Sequence, residues 1–317
     1  MIIYLLFIGL TLSRTLSDIM RKKNSSAFSL NGLTGSLFYV FETSVMALFF
    51  FWALNGFTLS FNSRVFVYGF IYGIIVVCSL IPSIFMYNYA SFAYITFLSG
   101  SASLVISLIS GVLIFSEEIT VEKILRIILM LMATLVIFLG RSSKSENKEK
   151  KPDSNATKRA NRKISLKLYF CILVSVLLGA ASTVLLKFYA LDGAVTDQNS
   201  MFFATNIFSA ALVLPVLPFT MKRDGVGFED ITKMLKSKKT VYSAITTLNS
   251  NIASVITITL LAIMDVSVYT PVASALTFVA MAIAVPIMGE KLTKHTLIAT
   301  LIAILSVIAP PLISLIK

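Results

Sequence analysis

The sequence predicts an all-α integral membrane protein with ten transmembrane helices, arranged as two inverted five-helix repeats. Three observations support this fold class. The 317 residues are 57% hydrophobic and only 13% charged, against roughly 25% charged residues in an average soluble domain. Ten apolar segments are each long enough to supply the ~20 residues that cross a bilayer core. The chain also contains an internal repeat, in which residues 92–120 align without a gap with residues 265–293.

The ten apolar segments show no strand-like alternation of polar and apolar residues, so a transmembrane barrel is not expected. Helices are favoured because they satisfy their own backbone hydrogen bonds in lipid. The predicted spans are residues 2–20, 32–53, 65–87, 94–115, 121–140, 166–190, 201–220, 240–264, 266–288 and 297–316.

Two local features predict departures from straight spans. Residues 228–239 alternate acidic, apolar and basic residues, which is typical of an amphipathic helix at the membrane interface. Prolines interrupt several spans, and each one removes a backbone hydrogen bond and predicts a kink. These prolines are Pro82, Pro215, Pro218, Pro271 and Pro286.

The two halves of the chain match at equivalent positions. The turn at residues 116–120 matches the turn at 289–293, and each turn is followed by one apolar segment. Because each repeat contains five segments, an odd number, the second repeat is inverted in the membrane relative to the first. The aligned pairs are Ser17 with Ser182, Glu42 with Asn206, Ser101 with Ser274, Ala102 with Ala275, Glu117 with Glu290 and Thr120 with Thr293.

A basic linker, residues 141–165, separates the first repeat (1–140) from the second (166–317). Its richness in Ser, Asn and Lys and its lack of apolar periodicity predict a flexible, solvated segment near an anionic leaflet. Of the 27 Lys and Arg residues, 21 follow odd-numbered spans, and we assign Arg21 to the first of these loops. The positive-inside rule therefore predicts a cytoplasmic linker with both termini outside the cell.

Composition argues against several classes of function. The net charge of +12 is concentrated in the linker, so we expect no nucleic-acid partner. Both cysteines lie in apolar segments and only one histidine is present, which predicts no metal site and no cofactor. No glycine-rich ATP-binding loop occurs. We expect the partners to be a small-molecule substrate and membrane lipid, and the protein to be a monomer or a homodimer.

Charged side chains inside predicted spans are costly in lipid and therefore mark candidate functional residues. Arg14 and Asp18 are four residues apart, so they share one face of the first span. Glu42 lies near the middle of the second span, at a depth close to that of Arg14. Two interpretations stay open: Glu42 and Asp18 bind a cationic group or the coupling proton, or Arg14 and Glu42 form a structural ion pair between helices.

Asparagines supply neutral polar groups in the second repeat. Asn206 occupies the position that repeats Glu42, and Asn249 and Asn251 lie near the middle of the eighth span. We expect Asn249 to face the substrate. A site that is charged on one side and neutral on the other suits an amphipathic solute.

The two matching turns carry acidic residues whose expected role is structural. Glu117 and Glu290 precede Thr120 and Thr293, which are good N-caps for the helices that follow. A carboxylate near a helix N-terminus is favourable by roughly 0.3–1 kcal/mol. We therefore assign no catalytic residue to these turns.

The paired turns Ser116-Glu117-Glu118-Ile119-Thr120 and Gly289-Glu290-Lys291-Leu292-Thr293, together with Lys22 and Lys187 late in the first helix of each repeat, resemble the EamA-like branch of the drug/metabolite transporter superfamily. The resemblance implies that helices 1–4 and 6–9 surround a central cavity, with helices 5 and 10 peripheral. It also implies cytoplasmic termini, which is the opposite of the charge-based prediction. The sequence lacks the family's Trp-Gly in the first helix and its early Arg in the second.

The expected function is that of a secondary active transporter, which moves a small polar or amphipathic metabolite or drug across the plasma membrane by alternating access. An ion or substrate gradient would supply the energy, and the proton is one candidate ion. Two alternatives stay open. A membrane-embedded lipid-modifying enzyme would need a clustered nucleophile, base or metal ligand, which this composition supplies poorly. A passive channel would differ from a carrier in showing no saturable counterflow.

Overall fold

A computed structural model describes residues 2–27, 33–89, 92–145, 155–192, 197–287, 289 and 293–316. In these ranges the chain is helical with no strand, and each predicted span overlaps one helix or, in the seventh case, two. The all-α prediction is therefore confirmed. The helices are α1 Ile2–Ala27, α2 Leu33–Leu54, α3 Ser63–Tyr89, α4 Phe92–Phe115, α5 Val121–Ser145, α6 Asn155–Leu191, α7 Gln198–Val213, α8 Leu217–Asp224, α9 Phe228–Leu235, α10 Lys238–Ile263, α11 Val266–Ile287 and α12 Lys294–Ile316.

Within the described ranges, six helices are long and apolar enough to cross a membrane, and the bent pair α7 and α8 provides a seventh if it acts as one span. The described apolar parts of α4 and α12 are shorter, at Ser103–Phe115 and Lys294–Ile308. These lengths are those of a multi-pass membrane protein. The full set of ten spans stays a prediction. The six long apolar helices are α1, α2, α3, α6, α10 and α11.

The seventh predicted span is broken between α7 and α8, whose axes differ by 45°. Pro215 lies in the turn between them and Pro218 lies in the first turn of α8. Proline lacks the backbone N–H that would continue a helix, whereas it is well tolerated in the first turn of a new one. The kink predicted from these prolines is confirmed.

The amphipathic segment forms α9, which is shorter than predicted. At its start the Asp230 carboxylate accepts a hydrogen bond from the backbone N–H of Gly227 at 3.0 Å. It ends at Leu235 because Ser237 caps the next helix, accepting from the N–H of Lys239 at 3.2 Å. Lys238 and Lys239 consequently belong to α10.

The linker differs from the prediction at both of its ends. Helix α5 continues to Ser145 and helix α6 begins at Asn155, so residues 141–145 and 155–165 are helical. Lysine, arginine and alanine have high helix propensities, and they extend the neighbouring apolar helices into polar sequence. Residues 146–154 lie outside the described part of the chain.

The chain forms two compact units, and each of them takes segments from both halves of the sequence. The first unit comprises Met1–Asn88 and Leu178–Met264. In it α1 packs against α10, and α2 packs against α7, α8 and α10. A buried apolar cluster that includes Phe38, Val40 and Val213 lies where α2 meets α7 and α8.

Two glycines one turn apart on α3 allow a close approach to α7. A Cβ atom on Gly69 would lie 2.8 Å from the Cβ of Ala204, and one on Gly73 would lie 3.0 Å from the carbonyl oxygen of Thr205. The Ser209 hydroxyl donates to the carbonyl of Gly73 at 3.3 Å. Small residues at this spacing are a common means of close helix packing in membranes.

Charged side chains also cap helix termini within the first unit. At the N-terminus of α2, the Asp224 carboxylate accepts from the backbone N–H and the hydroxyl of Thr34, at 3.0 and 2.8 Å. At the C-terminus of α10, the buried Lys187 Nζ donates to the carbonyls of Leu261 and Met264, at 2.7 and 2.9 Å. Each charge has the sign that favours the local helix dipole.

The second unit comprises Tyr89–Leu177 and Asp265–Lys317. Here α4 packs against α11, α5 packs against α12, and α11 also contacts α12. Ala133 of α5 and Ala299 and Ala303 of α12 are fully buried. Alanine at such positions lets helices approach closely, and van der Waals packing of this kind drives association in lipid.

Candidate binding cavity

Three charged side chains lie along one face of α1, because spacings of four and three residues return to the same side of a helix. Arg14 Nη2 donates to the hydroxyl of Thr257 on α10 at 3.0 Å. Arg21 Nη1 lies 3.4 Å from Asp18 Oδ1, and these two side chains keep 19% and 23% of their surface exposed. The assignment of Arg21 to a loop is wrong, since helical structure extends past it to Ala27.

A first cavity of about 230 Å³ lies within the first unit, between apolar helices. Its wall combines hydrogen-bonding side chains with aromatic and aliphatic ones. Pockets of this mixed character bind small molecules and use a few polar groups to orient them. The polar members include Tyr39, Thr205, Asn206, Thr246, Ser250 and Asn251, and the apolar members include Val76, Leu80 and Phe202.

A second cavity of about 280 Å³ contains the charged face of α1. Arg14, Asp18 and Arg21 line it together with hydroxyl side chains of α6 and α10. The two cavities adjoin each other, because four residues line both of them. The shared residues are Arg21, Tyr72, Ser250 and Ser254.

Helix α10 presents a stripe of hydroxyl groups to both cavities. Thr246, Ser250, Ser254 and Thr257 follow one another at spacings of four, four and three residues, so they share a face. The stripe also holds α1 in place, since the hydroxyls of Ser17 and Ser250 lie 2.5 Å apart. The sequence indicates Thr246 and Ser250 as polar groups near the middle of this span, but their grouping with Ser254 and Thr257 on one face was not predicted, although the helical spacing could have revealed it.

The three asparagines predicted for the site have different surroundings. Asn206 lines the first cavity and donates to the carbonyl of Phe202 at 2.7 Å. Asn251 lines it too, and its buried Nδ2 has no hydrogen-bond partner among the described residues. Asn249, against expectation, lines neither cavity and donates to the carbonyl of Ile245 at 2.8 Å. At about 100° of rotation per residue, it falls outside the arc of α10 that faces the cavities.

Glu42 is buried, with 6% of its surface exposed, and lines neither cavity. Neither carboxylate oxygen makes a hydrogen bond of ordinary geometry among the described residues, although Ser243 and Thr240 on α10 interact with the group. A buried carboxylate that forms no ion pair with a described residue is costly in its ionised form. Glu42 is therefore a candidate for binding a proton.

The predicted ion pair between Arg14 and Glu42 is absent from the described structure. Arg14 contacts α10 at Thr257, whereas Glu42 interacts with α10 at Ser243. Fourteen residues separate these two positions, which is roughly 20 Å along a helix at 1.5 Å per residue. The pairing interpretation is wrong because the two side chains do not share a depth.

In the second unit, Glu117 caps a helix N-terminus, but of a different helix than expected. Its carboxylate oxygens accept from the backbone N–H groups of Val266 and Ser267 at 2.7 and 3.1 Å, and also from the Ser267 hydroxyl. These N–H groups begin α11, whereas the sequence pointed to α5. The prediction of a structural role for Glu117 is thus correct, but the helix that it caps could not be identified from the local sequence.

Lys123 completes a small charged cluster around Glu117. Its buried Nζ lies 2.9 Å from Asp265 Oδ2 and 3.7 Å from Glu117 Oε2, and it donates to the carbonyl of Glu118 at 2.9 Å. Gly111 leaves room for this arrangement, because a Cβ atom there would lie 2.6 Å from the Glu117 carboxylate. The charges of this cluster pair with one another and with the N-terminus of α11, so their role is structural.

The threonines of the two turns act as the predicted caps. The Thr120 hydroxyl accepts from the N–H of Lys123 at 3.4 Å, which is long for a hydrogen bond. The Thr293 hydroxyl accepts from the N–H of Thr296 at 3.2 Å. Glu290, the counterpart of Glu117, lies outside the described residues.

Among the described residues, no group of three or more His, Cys, Asp or Glu side chains could hold a metal ion. No protein-family model and no curated protein sequence matches the chain. The resemblance to EamA-like transporters therefore rests on the turns and lysines quoted above and stays a prediction.

Proposed function

We propose that this protein is a secondary active transporter that moves a small polar or amphipathic metabolite or drug across the plasma membrane by alternating access. The observation that carries the proposal is the pair of adjoining polar cavities inside a unit built from long apolar helices. Charged and hydroxyl side chains are costly in such surroundings unless they serve water, an ion or a solute.

The helix contacts support the further proposal of ten spans in two inverted repeats. Helix α2 contacts the α7–α8 pair, α4 contacts α11 and α5 contacts α12. In the proposed numbering of spans these are the second with the seventh, the fourth with the ninth and the fifth with the tenth. Contacts between counterparts are expected when two repeats are related by a two-fold axis.

The composition of the compact units supports the same proposal. The first unit takes spans one to three with most of spans six to eight, and the second takes spans four and five with nine and ten. Each unit thus draws equivalent spans from both halves of the sequence. We also propose that both termini lie outside the cell and that the linker is cytoplasmic, as the charge distribution predicts.

Counterflow in proteoliposomes tests the transport proposal. A thermal-shift screen over amino acids, nucleosides, quaternary amines and sugars first identifies a solute that stabilises the purified protein. Liposomes loaded with excess unlabelled solute should then accumulate the labelled solute transiently and with saturation. Uptake that never saturates, with no counterflow, would favour a channel over a carrier.

Proton coupling through Glu42 has a separate test. If the buried Glu42 carries the coupling proton, Glu42→Gln should transport without the pH dependence of the wild-type protein. Glu229→Gln is the control, because Glu229 is exposed on α9, and it should keep the wild-type profile. An unchanged pH profile with full flux in Glu42→Gln would exclude this residue as the coupling site and leave the transport proposal intact.

A further inference from the structure

We propose that the solute accepted by the first cavity presents N–H or O–H hydrogen-bond donors to the cavity wall, as a primary amide or a lactam does. This inference rests on the proposed transport function and specifies its class of substrate. It starts from hydroxyl side chains that line the cavity on four different helices. They are Thr43 of α2, Ser79 of α3, Thr205 of α7, and Thr247 and Ser254 of α10.

Each of these five hydroxyl groups donates its proton to a backbone carbonyl of its own helix, three or four residues earlier, at 2.8–3.0 Å. Serine and threonine commonly form this bond in helices. A hydroxyl has one proton but two lone pairs, so its oxygen can still accept. None of the five oxygens accepts a hydrogen bond from another residue that the structure describes. The capacity that these groups keep for a solute is therefore that of an acceptor.

This pattern favours a donor on the solute over an acceptor. A solute N–H that points at one of these oxygens adds a hydrogen bond without breaking one. A solute acceptor would have to take the proton from the helix carbonyl, so that one hydrogen bond replaces another and little is gained. Thr246 and Ser250 contribute less to this pattern, because Tyr39 and Ser17 already interact with their hydroxyl groups.

Asn206 on α7 adds a further acceptor to the wall. Its Nδ2 donates to the carbonyl of Phe202 at 2.7 Å. Because a carbonyl oxygen only accepts, the amide nitrogen must be the atom that faces Phe202, and this fixes the orientation of the side chain. The Oδ1 atom is then left to accept a hydrogen bond, on a residue that lines the cavity.

The rest of the wall indicates what else the solute carries. Asn251 has a buried Nδ2 with no partner among the described residues, and the Ser44 hydroxyl donates to none of them. These donors suit a carbonyl oxygen on the solute. Val76, Leu80 and Phe202 supply apolar surface beside them. A ring or chain that carries both N–H and C=O groups, as in an amide or a lactam, matches this combination.

Pairs of uncharged isomers test the preference for donors. Isothermal titration on the full-length protein in phosphatidylcholine nanodiscs would compare 5,6-dimethyluracil with 1,3-dimethyluracil, and 3,5-dimethylbenzamide with N,N-dimethylbenzamide. The first member of each pair carries N–H groups and the second carries none, whereas their size and composition are the same. We expect the N–H isomer of at least one pair to bind about tenfold or more tightly than its partner. If neither N–H isomer binds, or neither binds more tightly than its partner, the inference is overturned.

Variants link the preference to the named hydroxyl groups. Thr247→Val and Thr205→Val remove an acceptor from the wall with little change of shape, and each should weaken binding of the preferred N–H isomer by about threefold or more. Thr259→Val is the matched control, because Thr259 also lies in α10 and donates to the carbonyl of Val255 at 3.0 Å, but lines neither cavity. It should change binding by less than about twofold. Unfolding temperatures would check the folds, and folded Thr247→Val and Thr205→Val proteins that both bind as the wild type does would contradict the proposal.

Further outcomes separate this inference from neighbouring ones. If sodium chloride alone gives saturable binding that Thr247→Val removes, and no isomer binds, the oxygens bind a cation and the proposal is overturned. If solutes without donors show saturable counterflow while neither N–H isomer binds, the transport function stands and the donor-bearing substrate class falls. If an N–H isomer binds but no solute shows counterflow, the class of ligand stands and the transport proposal fails.

Discussion

Glu117 shows how a single carboxylate stabilises this protein at the scale of one residue. The first N–H groups of a helix have no partner within the helix, and burying them unpaired is costly. Glu117 pairs with two of them at the start of α11 while lying 3.7 Å from the buried Lys123 ammonium. The same side chain therefore satisfies backbone donors and offsets a buried positive charge.

Glu117→Gln should lower the free energy of unfolding by about 1–3 kcal/mol, because the charge-assisted hydrogen bonds to α11 become neutral ones. The neighbouring Glu118→Gln is the control. Its side chain is exposed and only its backbone carbonyl binds Lys123, so a change within about 0.5 kcal/mol is expected. Unfolding by denaturant in detergent micelles would measure both variants, and equal losses would show that the cap has no special role.

The candidate site shows what local sequence could and could not predict about residues. Arg14 and Asp18 were found because charges in apolar spans are rare, and both line the second cavity. Arg21 was missed because its charge suggested a loop. The predicted ion pair between Arg14 and Glu42 was wrong because the relative depth of two side chains depends on how neighbouring helices pack. No local sequence pattern encodes that packing.

At the scale of elements, the contact between α3 and α7 depends on the absence of side chains on Gly69 and Gly73. In lipid, the hydrophobic effect gives little drive for helix association, so packing contacts of this kind count for more. Gly69 meets both the Cβ of Ala204 and the backbone of Met201 within 3.2 Å of an added Cβ atom. Backbone cannot rotate away as a flexible side chain could.

Gly69→Ala should therefore force α3 and α7 apart and destabilise the protein by about 1–3 kcal/mol. Gly179→Ala is the matched control within α6, where an added Cβ atom would meet nothing within 4 Å. Because alanine has the higher helix propensity, this control should be neutral or stabilising by about 0.5–1 kcal/mol. Thermal unfolding monitored by circular dichroism would compare them. If Gly69→Ala were as stable as the control, the helices would not be closely packed there.

The positions of elements were more predictable than their partners. The lengths of the apolar segments predicted the helices. The prolines at 215 and 218 predicted the break between α7 and α8. Helix extended beyond these segments at residues 155–165, because polar residues with high helix propensity can continue a helix that apolar residues begin. The capping of α11 by Glu117 could not be predicted, because the two residues in contact are 149 positions apart in the sequence.

At the scale of the whole molecule, the proposed transport requires water to reach polar cavities enclosed by apolar helices. The hydroxyl stripe of α10 and the charged face of α1 line the cavities and would be unfavourable in contact with lipid. The opposite side of α10 carries exposed apolar residues such as Leu248. A carrier that works by alternating access exposes such a cavity to one side of the membrane at a time.

Thiol labelling at Ser250 tests this claim most directly. Ser250→Cys and Leu248→Cys would be compared in proteoliposomes, in a background that carries Cys78→Ser and Cys171→Ser. The two positions are two residues apart on α10, about 3 Å along its axis, but only Ser250 lines the cavities. A membrane-impermeant maleimide reacts with thiolate, which forms in water and not in lipid. We expect Ser250→Cys to be labelled and Leu248→Cys to remain unlabelled. Equal labelling of the two variants, or no labelling of Ser250→Cys, would show that water does not reach the cavities selectively and would overturn the proposed transport route.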